Sequence, residues 1–339
     1  MTGRLAGVLA VFFIGMWLAP AAASAQPAAG ATLESAPRAG AEVLARGRYM
    51  IVTGHCNNCH TADYQRRAGQ VPEQAWLTGR DVGHRGPWGT TYPANLRINA
   101  NKLTEAEWVA RAQTLKTRPG MPWWSLRDTN VDDLRAMYQF IRSLGPPGVP
   151  AREFLPPGEE PKTLYIQAVG AAVPPKPAES PALPIRVAAP PDAGVGANVP
   201  AVGPRAELIA RGRYMLVTGH CNNCHTHDYG RLEGKVAEKE WLKGSASGHR
   251  GTWGTTYASN LRINVNQMTE AAWVTYASAV RTRPPMPWWA LHETSVEDLR
   301  AMYQFIEVLG PPGEPAPPFL APDQEPKPPY TQWPAVFPE

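Results

Sequence analysis

Apolar residues recur at the three- and four-residue spacing of an α-helix in several segments of the chain. The clearest segment starts after Thr129 and ends at Gly145-Pro146-Pro147, residues that terminate a helix. Its apolar stripe comprises Leu134, Met137, Tyr138, Ile141 and Leu144. Residues 41–53 are also predicted to be helical. The alternating pattern of a half-buried strand does not extend over any useful length, so the sequence predicts an all-α fold.

Most of the chain is an internal duplication. Residues from about 41 to 167 return without insertion at an offset of 165 positions, the separation of His60 and His225. Gly47-Arg48-Tyr49-Met50, for example, repeats as Gly212-Arg213-Tyr214-Met215. We therefore predict two tandem domains, residues 41–167 and 205–339, each ending in a Pro-rich strap. The Pro- and Ala-rich residues 168–204 between them predict a linker.

A second helix is predicted to begin at Thr104 in the first repeat. Thr104 and Glu107 fit a capping box, in which each residue satisfies a backbone N–H of the other. The second repeat keeps Thr269 but has Ala272 at the position of Glu107, so its capping box is incomplete.

Residues 1–25 have the features of a secretory signal peptide. Arg4 precedes an apolar run from Leu5 to Leu18, and Ala23-Ser24-Ala25 fits a cleavage site. An uncleaved membrane anchor is the alternative, but the run is shorter than the ~20 residues of a spanning helix. We expect a periplasmic protein that begins near Gln26, with peripheral membrane association left open.

The pentapeptide Cys56-Asn57-Asn58-Cys59-His60 occurs again as Cys221-Asn222-Asn223-Cys224-His225. C-x-x-C-H is the attachment motif of c-type haem. Its two thiols can add to the two vinyl groups of one porphyrin, and the His then lies under the iron. The chain has four cysteines, all in these motifs, so none is left to complete a zinc site or a disulfide. The sequence predicts two covalent haems.

Two residue types compete for the second axial position. Met121 and Met286 each lie 61 residues after the motif histidine and precede Pro-Trp-Trp. His84 and His249 each lie 24 residues after it. Both pairs are present in both repeats, so the duplication does not choose between them. Met/His ligation is typical of electron-transfer cytochromes, which favours the methionines.

Other repeated polar residues have two interpretations. Tyr92, Asn95 and Arg97, with their equivalents Tyr257, Asn260 and Arg262, could donate hydrogen bonds to haem propionates or could stabilise the loop that carries them. His55 and His220 are expected on the surface, because they are too close to the motif histidine to reach the far side of a haem.

Composition excludes several classes of function. The net charge of +4 over 339 residues, without a basic stripe, argues against nucleic-acid binding. Thirty-seven prolines indicate that part of the chain is not packed core. No P-loop, dinucleotide fingerprint or nucleophile motif is present.

Each repeat resembles a class I c-type cytochrome. Gly47-Arg48-Tyr49 before the haem motif, with Gly89-Thr90-Thr91-Tyr92 after it, is similar to the cytochrome subunits of bacterial periplasmic and membrane dehydrogenases. The resemblance implies an all-α fold in which the first and last helices cross. It also implies that His60 and His225 are proximal ligands and that Met121 and Met286 are distal ligands.

The function this resemblance implies is electron relay rather than catalysis. The donor would be a dehydrogenase, and the acceptor an oxidase or another cytochrome. A dihaem cytochrome c peroxidase is the alternative. A peroxidase needs one iron with an open coordination site and hence two unlike haem domains, whereas these repeats are alike at every candidate ligand.

Overall fold

A computed structural model of the protein describes residues 40–171 and 203–335. The predicted signal peptide, residues 1–25, and residues 172–202 of the predicted linker lie outside the described residues. The two ends of the predicted linker lie in regular secondary structure. Ala168 and Val169 belong to a strand, and Pro204 begins a helix.

The two repeats contain the same helices in the same order. The first has α1 (Ala41–Thr53), α2 (Cys56–His60), α3 (Leu96–Asn101), α4 (Glu105–Thr114), α5 (Trp123–Arg127) and α6 (Val131–Ser143). The second has α7 (Pro204–Thr218), α8 (Cys221–His225), α9 (Leu261–Asn266), α10 (Glu270–Ala279), α11 (Trp288–His292) and α12 (Val296–Val308). A 3₁₀ turn precedes the strands of each repeat, at Glu73–Ala75 and Glu238–Glu240.

Local sequence signals located helices α1, α4 and α6 of the first repeat correctly. Helix α1 spans the predicted residues, and the capping box of Thr104 and Glu107 is formed. Thr269 caps α10 without a box. The last helix of the first repeat is capped by Asn130 rather than Thr129, because the Asn130 side chain accepts from the backbone N–H of Asp133.

The first and last helices of each repeat cross in close contact, α1 with α6 and α7 with α12. Glycine makes this approach possible. A Cβ at Gly47 would overlap the Ala136 carbonyl, and one at Gly212 would overlap the Ala301 carbonyl. The crossing buries Met50, Ile51 and Leu134, and it forms the apolar core on which the rest of the repeat packs.

The prediction of an all-α fold is wrong, because the described residues also form a six-stranded mixed sheet and the fold is α/β. The strands are β1 (Gly83–Gly86), β2 (Gly89–Thr91), β3 (Tyr165–Val169), β4 (Gly248–Gly251), β5 (Gly254–Tyr257) and β6 (Tyr330–Gln332), in the order β2-β1-β3-β6-β4-β5. With three to five residues each, and glycine at several positions, these strands are too short to produce an alternating pattern.

The sheet joins the repeats through their Pro-rich straps. Each strap returns to its own hairpin as a parallel strand, β3 beside β1 and β6 beside β4. The two strap strands then pair with each other in antiparallel orientation, with Gln167 opposite Gln332. These two glutamines are equivalent positions of the repeats, so the pairing is two-fold symmetric. All of the described residues belong to one compact unit.

Candidate functional site

A single cavity of about 840 Å³ is shared by the two repeats. Its walls carry all four cysteines, both motif histidines and both candidate methionines. Most of the remaining wall is apolar, including Ile51, Leu216 and Ile306. The volume lies within the range of cofactor sites. The structure therefore brings together every residue that the sequence predicted for haem binding.

A tight turn directs each C-x-x-C-H motif into this cavity. Helix α1 ends at Thr53, and His55 takes the left-handed conformation with a φ of 56° before the motif helix α2 begins. His220 does the same before α8, with a φ of 59°. Histidine is among the residues that tolerate this region of backbone space. The reversal places the motif against the side of its own repeat's first helix.

The two motif histidines are oriented as metal ligands are. His60 Nδ1 lies 2.7 Å from the Ala94 carbonyl oxygen, and His225 Nδ1 lies 2.7 Å from that of Ser259. A hydrogen bond to a carbonyl requires the proton on Nδ1, which leaves Nε2 with the lone pair that a metal needs. Burial also lowers the pKa of His60 to about 4, so the ring is neutral.

The cysteines are thiols in an apolar environment. Burial raises the pKa of Cys56 and of Cys221 to about 12, and that of Cys224 to about 11. A dithiol redox motif requires the opposite change, a lowered thiol pKa that favours the thiolate. None of the four cysteines forms a disulfide. These features argue against a thioredoxin-like role and fit thiols held for covalent attachment.

Met121 and Met286 lie on loops that precede α5 and α11. Each loop is closed by a hydrogen bond from the following Trp, where Trp123 N–H donates to the Met121 carbonyl and Trp288 N–H to that of Met286, both at 2.9 Å. The next Trp contacts the other repeat. Trp124 donates its indole N–H to Asn223 Oδ1 at 3.0 Å, inside the second C-x-x-C-H motif.

The competing histidines also line the cavity, because the sheet carries them there. His84 lies on β1 and His249 on β4. One ring nitrogen of each is already hydrogen-bonded. Arg80 donates to His84 Nε2 at 3.1 Å, and Trp333 donates to His249 Nδ1 at 3.3 Å. Burial and the Arg80 cation, with a smaller effect of His60, lower the pKa of His84 to about 3.

The prediction that His55 and His220 lie on the surface is wrong. Both line the cavity, and their rings meet edge to face with centroids 6.2 Å apart. The two C-x-x-C-H motifs therefore come together at the contact between the repeats. No local pattern links residues that lie 165 positions apart, so this contact could not be predicted from the sequence.

The loop interpretation is correct for Arg97, Asn95 and their equivalents. The Arg97 guanidinium donates to the backbone carbonyls of Trp76, Leu144, Pro146, Glu73 and Gln74, which leaves no N–H for a ligand. Arg262 makes the matching set. Asn95 caps α3 and donates to Pro147 and Val149. Tyr92 is hydrogen-bonded to Thr163.

Two searches of the described residues found nothing. No group of three or more His, Cys, Asp and Glu side chains could hold a bare metal ion. A haem iron bound by one His and one Met would not form such a group. Within residues 40–171 and 203–335, no helix combines the length and apolar character needed to cross a membrane. Comparison with protein-family models and with curated proteins finds no match.

Proposed function

We propose that the protein binds two c-type haems covalently and relays electrons between redox partner proteins. The observation that carries the proposal is the shared cavity, whose wall contains both C-x-x-C-H motifs together with Met121 and Met286. When bound, each haem would supply an iron that accepts one electron and passes it on.

The residues of the chain have four tasks in this proposal. Cys56, Cys59, Cys221 and Cys224 would hold the haems through thioether bonds, each made by adding an S–H group across a porphyrin vinyl group. The Ala94 and Ser259 carbonyls orient the two proximal histidines. Met121 and Met286 would supply a second ligand to each iron, and the apolar walls would exclude water.

Hydrogen bonding favours methionine over histidine as the distal ligand. In each competing histidine, Arg80 or Trp333 donates to a ring nitrogen and so occupies the one lone pair that a neutral imidazole could offer to iron. The Met121 and Met286 loops are instead restrained by their backbone, while their thioethers line the cavity. With a His and a Met held to each iron, no coordination position would be left for peroxide. This supports relay over peroxidase activity.

The contact between the two motifs supports relay within one molecule. The ring centroids of His55 and His220 lie 6.2 Å apart. The residues that would attach one haem therefore adjoin those that would attach the other. An electron taken from a periplasmic or membrane dehydrogenase at one site would pass to the other site, and from there to an oxidase or another cytochrome. Each transfer moves one electron and breaks no bond.

Haem content is the first test. The full chain is expressed in a strain that exports and matures c-type cytochromes, and haem is counted by the pyridine haemochrome assay and intact mass. We expect two haems per chain and cleavage near Gln26. The paired substitution Cys56→Ser and Cys59→Ser should leave one haem. A chain that matures without haem would refute the proposal.

Function is tested by stopped-flow kinetics of the two-haem protein. We expect reduction by a periplasmic dehydrogenase or a small reductant, and reoxidation by a terminal oxidase or another cytochrome. Turnover of hydrogen peroxide at enzymatic rates by the half-reduced protein, with a five-coordinate haem spectrum, would replace relay with the peroxidase alternative.

A further inference from the structure

The two candidate haem sites differ by one buried charge. Arg80, twenty residues after His60, is replaced by Ser245 at the equivalent position of the second repeat. Gln65, which accepts a hydrogen bond from Arg80, is replaced by Gly230. The cation and its side-chain acceptor are therefore a feature of the first site only, although the motif, the proximal histidine and the candidate distal ligands are the same in both.

Arg80 is enclosed beside the first motif. Only 7% of its surface is exposed. One guanidinium nitrogen donates to the backbone carbonyl of Asn58, inside the C-x-x-C-H motif, at 2.9 Å, and to Gln65 Oε1 at 3.0 Å. The other donates to His84 Nε2 at 3.1 Å. These acceptors are neutral.

The charge of Arg80 is not neutralised by a protein carboxylate. Among the described residues, none lies within ion-pair distance, and the Arg80 Nε–H is buried without a hydrogen-bond partner. The adjacent Asp81 is exposed and pairs with Arg152 at 3.1 Å. An uncompensated buried cation is expensive and its field is weakly screened, so it acts strongly on nearby groups.

We infer that Arg80 makes the first site the stronger electron acceptor, so that electrons pass from the second site to the first and leave from there. This inference rests on the proposed function. The reduced state of a haem site carries one positive charge fewer than the oxidised state, so a fixed cation beside the motif stabilises reduction. Ser245 provides no such charge to the second site.

The test is a spectroelectrochemical titration of the two-haem protein. We expect two resolved one-electron waves in the wild type. Arg80→Gln, which removes the charge and keeps amide donors, should lower only the higher wave. We expect the equilibrium constant for electron transfer from the second site to the first to fall about tenfold. This corresponds to a drop of about 59 mV in the midpoint potential of the first site, a one-electron couple. Arg80→Lys keeps the charge and should preserve most of the difference between the two midpoint potentials.

Arg66→Gln is the matched control. Arg66 is about half exposed and pairs with Asp63, and its removal changes the net charge of the same repeat by the same amount. In Arg66→Gln, the midpoint potentials of both waves should be the same as in wild type. The converse substitution, Ser245→Arg, should raise the lower wave.

Two outcomes overturn the inference while leaving the proposed function intact. Either both haems are present and neither wave moves in Arg80→Gln, or the wave that moves is the lower one. If Arg80→Gln does not fold, the comparison of Arg80→Lys with wild type and the Ser245→Arg titration decide the question. Loss of haem from the wild type itself would instead refute the proposed function.

Discussion

Single residues decide whether the cavity could hold iron in the way that the proposed function requires. Met121 and Met137 both line it, but they occupy different structural contexts. Met121 lies on a loop and is half-buried, whereas Met137 is 5% exposed in the stripe of α6. Only the first is expected to be a ligand, since a side chain in the helix crossing is already used in packing.

Met121→Leu should therefore abolish the sulfur-to-iron charge-transfer band of one haem and lower its potential, because leucine cannot ligate and methionine ligation raises the potential. Met286→Leu should do the same at the other haem. Met137→Leu, a swap of similar volume, should leave both bands and cost less than about 1.5 kcal/mol of unfolding free energy. The bands are read in the oxidised protein. If His84→Ala removes a band and Met121→Leu does not, histidine is the ligand.

At this scale the sequence identified residues whose chemistry is local. C-x-x-C-H and the Pro-flanked methionines are short motifs whose spacing carries its own chemical reason, and the structure places them in one cavity. Arg80 and His55 were missed because their importance depends on burial and on contacts with distant residues. The one available signal for Arg80 was its replacement by Ser245 in an otherwise close repeat.

At the scale of secondary structure, short helices of each repeat pack against the first helix of the other repeat. Helix α5 packs against α7 of the second repeat, and α11 packs against α1 of the first. Through α5, Trp124 contacts the second motif, although the same element follows the Met121 loop of the first site. In the matching position, Trp289 Nε1 and Asn58 Oδ1 are both buried without a hydrogen-bond partner among the described residues.

Trp124→Phe and Trp289→Phe form a matched pair that isolates this hydrogen bond. Trp124→Phe removes the donor to Asn223 and should lower the free energy of unfolding by about 0.5–1.5 kcal/mol more than Trp289→Phe does. Both variants lose the same indole volume, so the difference reports the hydrogen bond. Urea unfolding of the two-haem protein measures it. Equal losses would show that the Trp124–Asn223 bond contributes nothing.

The elements themselves were only partly predictable. Helices α1, α4 and α6 have apolar periodicity, and α4 and α6 also have side-chain caps; both signals are encoded within about a dozen neighbouring residues. The strands depend on partners far away in sequence: β3 pairs with β1 some 80 residues earlier and with β6 in the other repeat. A Pro-rich strap gives no local indication that Tyr165–Val169, at its junction with the predicted linker, will complete a sheet.

At the scale of the molecule, each repeat donates a side-chain hydrogen bond to the other. Tyr49 of α1 donates to Asp298 Oδ2 of α12, and Tyr214 of α7 donates to Asp133 Oδ2 of α6, each at 2.5 Å. Each aspartate also binds an arginine of its own repeat, Arg46 to Asp133 and Arg211 to Asp298. Each carboxylate thus stabilises a helix crossing and the contact between repeats together.

These two carboxylates should make stability depend on acid pH. Burial alone would raise the pKa of Asp133, but the Arg46 and Tyr214 hydrogen bonds and the Arg46 charge bring that pKa below its usual value. The pKa of Asp298 is lowered in the same way by Arg211 and Tyr49 against the effect of burial. A carboxyl with a lowered pKa in the folded state contributes stability above its unfolded pKa of about 3.9, and loses it as the pH falls through the folded value.

Asp133→Asn should therefore lower the free energy of unfolding at pH 7 by about 1.5–3 kcal/mol, since it removes hydrogen bonds to a charged group. The difference from wild type should narrow below about pH 4, because the Asp133 carboxylate of the unfolded chain takes up a proton there while that of the folded chain remains ionised to lower pH. Asp132→Asn is the neighbouring control: its side chain is 93% exposed and contacts only Arg135, so its effect should stay within about 0.5 kcal/mol at every pH. Urea unfolding from pH 7 to pH 3 measures both variants. A difference between Asp133→Asn and wild type that stays constant over this range would mean that the loss comes from packing, and that the charge of Asp133 does not hold the two repeats together.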